Sequence, residues 1–96
     1  MAITKSENQI TIINRVKKLR VERNLSQQQL ANIIDVTNGT LGNIESLKYA
    51  NKYTLKQLNL IAKHFEVPIE SFFLNEGEEG LSIAEYTDRV CEYLEN

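Results

Sequence analysis

Residues 26–45 read SQQQLANIIDVTNGTLGNIE, and this stretch decides the fold. Its apolar residues recur at steps of three and four, which is the period of an amphipathic helix. Two short helices are therefore predicted, over about 27–34 and 38–45, with only three residues between them. Asp35 falls at the turn, where a left-handed backbone is often needed, and Asp tolerates that conformation. The two helices are thus expected to meet across a tight turn.

Helix starts are marked along the rest of the chain by Ser and Thr. Such a capping residue accepts a hydrogen bond from a backbone N–H of the first turn, and an apolar residue before it packs on the fourth helical residue. Ser26, Thr37, Thr54 and Ser82 fit this pattern. No strand pattern is found, so we predict an all-α fold with helices from Ser6 or Gln9 to Arg23, over 27–34, 38–45, 55–65 and 69–74, and from Ile83 to about Leu94.

The composition is that of an ordinary soluble globular protein, with 42% apolar and 25% charged residues among 96. No apolar run approaches the roughly 20 residues that a transmembrane helix needs. The first residues lack the basic and apolar pattern of a secretory signal. A cytoplasmic protein without membrane contact is therefore expected.

The charge is divided unevenly along the chain. Residues 1–74 carry ten Lys/Arg against six Asp/Glu, whereas residues 75–96 carry one Arg against seven Asp/Glu. The net charge of −2 therefore combines a basic body of +4 with an acidic tail of −6. The acidic pI describes the tail and does not exclude a nucleic-acid partner for the body.

Two short helices joined by a tight turn have the spacing of a helix-turn-helix. Beyond this motif, the segment Arg15 to Phe73 resembles the phage Cro/repressor, or XRE-type, helix-turn-helix family. The resemblance is carried by RVKKLRVERNLSQQQLANIIDVTNGTLGNIE and TLKQLNLIAKHFEVPIESFF. It implies a five-helix, lambda-repressor-like domain to which a C-terminal amphipathic helix is added. The expected organisation is an N-terminal arm and start of the first helix (1–11), a helix-turn-helix domain (12–74), a linker (75–80) and an acidic amphipathic helix (81–96).

The resemblance implies that the second helix of the motif lies in the DNA major groove, with its N-terminal residues near base edges. The positions expected to contact bases are Asn38, Gly39, Thr40 and Asn43. An Asn amide can pair with adenine N6 and N7 together, and the Thr methyl can meet a thymine methyl.

Two glycines depart from the family pattern, because Gly39 and Gly42 replace the polar side chains usual in this helix. Three explanations stay open. Specificity can depend on the asparagines and on DNA shape, the glycines can allow the backbone to approach the groove closely, or DNA binding has been lost.

The resemblance also implies contacts with the DNA backbone. In the family, the residue at the place of Gln27 holds a phosphate through its amide, aided by the helix N-terminus. Thr37 can contact a phosphate, although capping alone explains it, and Tyr49 is equally a packing candidate. The loop's path is open, because Leu47 stands where the family often has Gly. The expected backbone contacts are Gln27, Gln28, Thr37, Lys48, Tyr49, Asn51 and Lys52.

A structural ion pair is implied between Arg20, late in the first helix, and Glu45, late in the recognition helix. In the family such a pair is partly buried and fixes one helix against the other. We therefore expect neither residue to contact bases.

The C-terminal helix is amphipathic and acidic. Its apolar residues follow steps of three and four, whereas its carboxylates line another face. One interpretation is that this helix packs on its own domain. The other is a two-fold dimer interface, which would set two recognition helices about 34 Å apart on a near-palindromic site. The residues of this predicted dimerisation face are Ile83, Tyr86, Val90, Tyr93 and Leu94.

No catalytic or metal-binding pattern accompanies these features. A single cysteine, Cys91, and a single histidine, His64, form neither an internal disulfide nor a metal-ligand cluster. No phosphate-binding glycine loop and no nucleophile motif is present. Neither catalysis, a cofactor nor a metal is expected.

The predicted function is a sequence-specific, double-stranded DNA-binding transcriptional regulator, a homodimeric repressor that acts by occupying an operator. The alternative is a protein-interaction module, an antitoxin or antirepressor-like partner, that uses the same fold. In that case the acidic C-terminal helix would contact a protein partner.

Overall fold

The computed structural model describes residues 5–75, 77–78 and 80–95, and within them the chain is helical without strands. The first four residues of the predicted arm, two glutamates of the predicted linker and the final residue lie outside the described residues. None of the described helices is long and apolar enough to cross a membrane. The elements are α1 (Glu7–Glu22), α2 (Gln27–Ile33), α3 (Asn38–Glu45), α4 (Leu55–Phe65), a 3-10 helix (Ile69–Phe72) and α5 (Ile83–Glu95).

The caps predicted from the sequence start these helices. Ser26 and Thr54 each form a reciprocal capping box with the glutamine three residues later. Ser6 does the same for α1, which settles the start of that helix. Thr37 Oγ1 accepts a hydrogen bond of 3.0 Å from the backbone N–H of Thr40. Asp35 takes the left-handed conformation expected at the turn, with φ of 58°.

The short helix predicted over 69–74 is present, but it is shorter than expected and of the 3-10 type. Ile69–Phe72 is a single 3-10 turn, closed by hydrogen bonds of 3.0 Å from Ser71 N to Pro68 O and from Phe73 N to Glu70 O. A segment this short gains too few backbone bonds to nucleate an α-helix. It forms because Phe72 and Phe73 are both buried in the core, where they anchor the turn.

The core lies between the first four helices and the 3-10 turn. Its centre consists of side chains without solvent exposure: Val16, Leu30, Leu41, Leu58 and Ile61. Each comes from the predicted apolar stripe of its helix, so the periodicity and the packing agree.

The C-terminal half of α5 packs on its own domain, which was one of the two alternatives. Tyr93 is fully buried, and its hydroxyl donates a hydrogen bond of 2.8 Å to the carbonyl of Tyr53. Gln9 Nε2 donates to the Tyr93 carbonyl over 2.9 Å. Tyr93 was placed on the predicted dimerisation face, and this needs correction: its side chain is enclosed within its own chain. In contrast, Ile83 at the other end of α5 keeps 85% of its surface exposed.

The described residues of the predicted linker are joined to the domain by hydrogen bonds and an ion pair. Arg89 donates to the Phe73 carbonyl over 3.0 Å and forms an ion pair with Glu78. The backbone N–H of Asn75 also donates to the Glu78 carboxylate, over 2.7 Å. The side-chain hydrogen bond from Arg89 and the backbone hydrogen bond from Asn75 lower the pKa of Glu78 to about 2.

The lowered pKa makes the stability of this segment sensitive to acid. Because the folded-state pKa lies below the ordinary value of 4.5, ionised Glu78 stabilises the fold above pH 4.5, and this contribution is lost as the pH falls towards 2. We expect Glu78→Gln to lower the free energy of unfolding at pH 7, and the deficit to shrink below pH 4.5. Urea denaturation followed by circular dichroism at several pH values measures it.

Asp88→Asn provides the control, because Asp88 is an exposed carboxylate on α5, next to Arg89 in the sequence. Its unfolding free energy should track that of the unsubstituted protein across this pH range. A Glu78→Gln deficit that stayed constant down to pH 2 would contradict the assigned role of the ionised carboxylate.

Candidate nucleic-acid interface

Helix α3 has one face packed in the core and one face open to solvent. Leu41 and Ile44 are buried in the core. Asn38 and Gly39 are exposed, and Thr40 and Asn43 are half-buried. The four positions predicted to contact bases thus keep some solvent access on a single helix, as contact with another molecule requires.

An ion pair ties α3 to the helices behind it. Arg20 Nε lies 3.0 Å from Glu45 Oε2, and Arg20 Nη2 lies 3.1 Å from Glu45 Oε1, so the contact is bidentate. Arg20 also donates to the Leu25 carbonyl over 2.7 Å. Both side chains are largely shielded from solvent. Removing one partner of such a buried pair typically costs about 3–5 kcal/mol, because the other charge is left buried and unpaired.

Gln27 joins this ion pair. Its Nε2 donates to Glu45 Oε1 over 2.9 Å, so a phosphate contact through the side-chain amide requires it to leave the carboxylate. Gln28 is exposed and donates to Asn32 Oδ1 over 2.9 Å. Both residues start α2, where the first backbone N–H groups have no acceptor within the helix. The first backbone N–H groups of α2 are therefore available to a phosphate, whereas the side-chain amide of Gln27 already donates to Glu45.

The predicted phosphate contacts in the loop after α3 fall into two groups. Lys48, Tyr49 and Asn51 are exposed. Lys52 instead donates through Nζ to the carbonyls of Tyr93 and Leu94, over 3.1 and 2.8 Å. The negative end of a helix dipole attracts a cation, so Lys52 caps α5, and a phosphate contact by Lys52 would require it to leave these carbonyls.

Thr37 and Tyr53 have structural roles in this region. The Thr37 hydroxyl accepts a hydrogen bond from Thr40 N and donates one to Thr40 Oγ1 over 2.9 Å. The hydroxyl is therefore engaged both as donor and as acceptor at the start of α3. Tyr53 directly precedes Thr54, the cap of α4, and its side chain is fully buried. Burial raises the pKa of both Tyr53 and Tyr93 above the ordinary value of 10.0, because a phenolate loses its hydration there.

Sequence reasoning missed Lys5. This residue is 5% exposed, and its ammonium donates to three backbone carbonyls, of Asn43 (3.1 Å), Tyr49 (2.6 Å) and Ser46. Burial lowers the pKa of Lys5 below 10.5, because desolvation disfavours the charged form. No side-chain pattern could have signalled this contact, since the acceptors are main-chain atoms about 40 residues away.

The glycines of α3 are not required by the packing of the chain. A Cβ at Gly39 would come no closer than 3.9 Å to Thr37 Oγ1, and one at Gly42 no closer than 3.9 Å to Gln27 Oε1. Among the described glycines, positive φ angles occur at Gly77 and Gly80 and not in α3. Side chains fit at both positions, so space within the domain does not explain why they are absent.

Among the described residues, no three His, Cys, Asp or Glu side chains come together as a group that could hold a metal ion. Cys91 and His64 are both exposed, and the His64 ring packs edge-on against Phe65 with centroids 5.2 Å apart.

Comparison with known proteins agrees with this geometry. A family model described as helix-turn-helix matches residues 16–72, which is more than half of the chain and includes the whole of α2, α3 and α4. Searches of curated proteins and of solved structures found no match.

The glycines allow a test that separates stability from DNA contact. Ala exceeds Gly in helix propensity by about 1 kcal/mol, and the methyl group has room at Gly39. Gly39→Ala should therefore raise the free energy of unfolding by up to about 1 kcal/mol. If the α3 backbone approaches the groove closely at this point, the same methyl should weaken DNA binding several-fold. Urea denaturation and fluorescence anisotropy measure the two effects.

Asn59→Ala is the matched control, at an exposed position of α4. It should stabilise its helix and leave DNA binding unchanged. Equal DNA affinity of Gly39→Ala and the unsubstituted protein would rule out close approach at Gly39.

Proposed function

The chain belongs to the Cro/repressor, or XRE-type, helix-turn-helix family of DNA-binding regulators, and from this premise we propose that it is a sequence-specific repressor. Bound over a promoter, it would exclude polymerase by occupying the operator. The observation that carries this proposal is α3, which presents Asn38 and Gly39 to solvent while the Arg20–Glu45 pair fixes it from behind. A rigidly held helix with an exposed polar face suits the major groove.

Base reading is assigned to the two asparagines of α3. A bidentate Asn contact with adenine N6 and N7 distinguishes A·T from the other base pairs. Asn38 is fully accessible and Asn43 partly so. Thr40, also partly accessible, would add a methyl contact with thymine. Gly39 contributes backbone only, so the site read by one α3 helix is expected to be short.

Phosphates would be held on both sides of α3. The backbone N–H groups at the start of α2, together with the exposed Gln28, lie on one side, and Lys48, Tyr49 and Asn51 lie in the loop after α3. The charge of +4 in residues 1–74 favours an anionic partner. Affinity that depends on phosphate contacts falls steeply with salt.

A homodimer is proposed through the part of α5 that its own domain leaves open. Ile83 and Leu94 are exposed and Tyr86 is half-buried, whereas Val90 packs on the core. A two-fold interface uses the same surface on both copies. Such a dimer would present two α3 helices to successive major grooves of a near-palindromic operator.

The first test is selection from a random duplex library. We expect enrichment of a two-fold symmetric site, and Asn38→Ala and Asn43→Ala should each relax the selected sequence at particular positions. A good bidentate pair contributes about 1–3 kcal/mol of discrimination, which sequencing of the selected pool detects. Asn59→Ala should select the same site as the unsubstituted protein.

Two outcomes would contradict the proposal. Retention of DNA without an enriched sequence would mean binding to the backbone alone. If no DNA were retained even at low salt, the antitoxin or antirepressor-like module would become the better explanation, with α5 as the contact for its protein partner.

The dimer is tested at Ile83. Ile83→Ser should shift the protein to monomer in sedimentation equilibrium without unfolding it, because the side chain makes little contact with its own domain. Deleting α5 is unsuitable, since that removes Tyr93 from the core. Val21→Ser, at an exposed apolar position of α1, is the control and should leave the association unchanged. A dimer that survives Ile83→Ser would exclude this face.

A further inference from the structure

The C-terminal end of α3 has a weak local cap, in which the backbone N–H of Ser46 donates to the Asn43 carbonyl over 3.3 Å. Helices commonly end on a glycine in the left-handed conformation, which lets the last carbonyls find backbone donors. Here Ser46 is extended instead, with φ of −91° and ψ of 144°. The last turn of α3 also contains no basic residue.

Lys5 supplies a second donor to this end of α3, from the segment before α1. An ammonium group has three donors, and the carbonyls of Asn43, Ser46 and Tyr49 accept from it. These acceptors follow the chain at three-residue intervals, from the last turn of α3 into the loop. Two carbonyls of the loop therefore point to one buried ammonium group.

The carbonyls that face Lys5 have a consequence for an anionic partner. The C-terminal end of a helix carries partial negative charge, which repels phosphate. The buried ammonium neutralises this end of α3 while the exposed side chains of Lys48 and Tyr49 point to solvent. One cation thus contacts both the end of α3 and the loop, and its charge opposes the partial negative charge of the helix end.

We infer that Lys5 is a positioning residue for DNA binding: its ammonium holds the end of α3 and the loop 46–51 in the arrangement that presents Lys48 and Tyr49 to the DNA backbone. This inference rests on the proposed function. Lys5 itself does not contact DNA, because its side chain is enclosed and bonded to the three carbonyls.

The salt dependence of binding separates positioning from phosphate contact. Each phosphate contact contributes about −0.9 to the slope of log K against log salt concentration. Lys5→Met keeps an unbranched side chain and removes the ammonium, so it should weaken binding to the selected duplex about tenfold at every salt concentration, with the slope unchanged. Lys48→Met should reduce the steepness of the slope by about 0.9. Lys63→Met, at an exposed lysine of α4, should change neither affinity nor slope.

Amide hydrogen exchange of the DNA-free protein provides the second readout. In Lys5→Met, the amides of residues 46–49 should exchange about tenfold faster, whereas those at the centre of α4 should be unchanged. Lys5→Arg keeps the cation and its donors and should restore much of both protection and affinity. If Lys5→Met does not fold, Lys5→Gln replaces it, since it loses the charge and keeps a donor.

Three results would overturn the inference. They are unchanged affinity in Lys5→Met, a slope reduced as in Lys48→Met, or unchanged amide exchange in the loop. If the unsubstituted protein bound no DNA at all, the proposed function would fail and the role in DNA binding with it. The exchange measurement would still decide whether the ammonium holds the loop.

Discussion

The bidentate contact between Arg20 and Glu45 is the interaction on which the rest of the interface depends. Helix α3 has eight residues, of which two are glycine, and an isolated helix of this length and composition is unstable in water. Its place is therefore set by the core beneath Leu41 and Ile44 and by this buried pair. Desolvating two charges is expensive, and the fold offsets it with further hydrogen bonds from Arg20 to a carbonyl and from Gln27 to the carboxylate.

Helix α3 is supported both by its own cap and by distant parts of the chain. Thr37 caps its start from the turn, Glu45 is held by α1 and α2, and its last carbonyls are held by Lys5. The loop that follows is fixed in turn by Lys52 and by the carbonyl of Tyr53, both bonded to the end of α5. The position of the segment that faces the proposed DNA thus depends on contacts from α1, α2, α5 and Lys5.

Local signals made much of the fold predictable. Capping residues and apolar periodicity fixed the starts and ends of five helices closely, and the left-handed residue at Asp35 followed from the spacing of the turn. The Arg20–Glu45 contact was accessible only through the family resemblance, because nothing in the local sequence pairs two residues 25 positions apart. The 3-10 type of the short helix was missed because its formation depends on the burial of Phe72 and Phe73, which is a property of the packed domain.

The contacts that sequence reasoning could not find join side chains to distant backbone carbonyls. Lys5, Lys52 and Arg89 all donate in this way. Any residue supplies a carbonyl, so such acceptors leave no trace in composition or spacing. For the same reason Lys52 was assigned to phosphate on its residue type alone, whereas the structure directs it to the end of α5.

The hydrogen bond from Gln9 to the carbonyl of Tyr93 joins positions 84 residues apart, and it has a consequence during protein synthesis. Tyr93 fills a fully enclosed place in the core, so the domain stays incomplete until this residue has left the ribosome. Translation proceeds at about 5–20 residues per second. Until Tyr93 has emerged, the surface that the end of α5 later covers is open to solvent and to chaperones. A nascent chain that stalls before Tyr93 would display an unfinished domain. In it, Lys52 and the Tyr53 carbonyl at the end of the loop after α3 would lack their partners in α5.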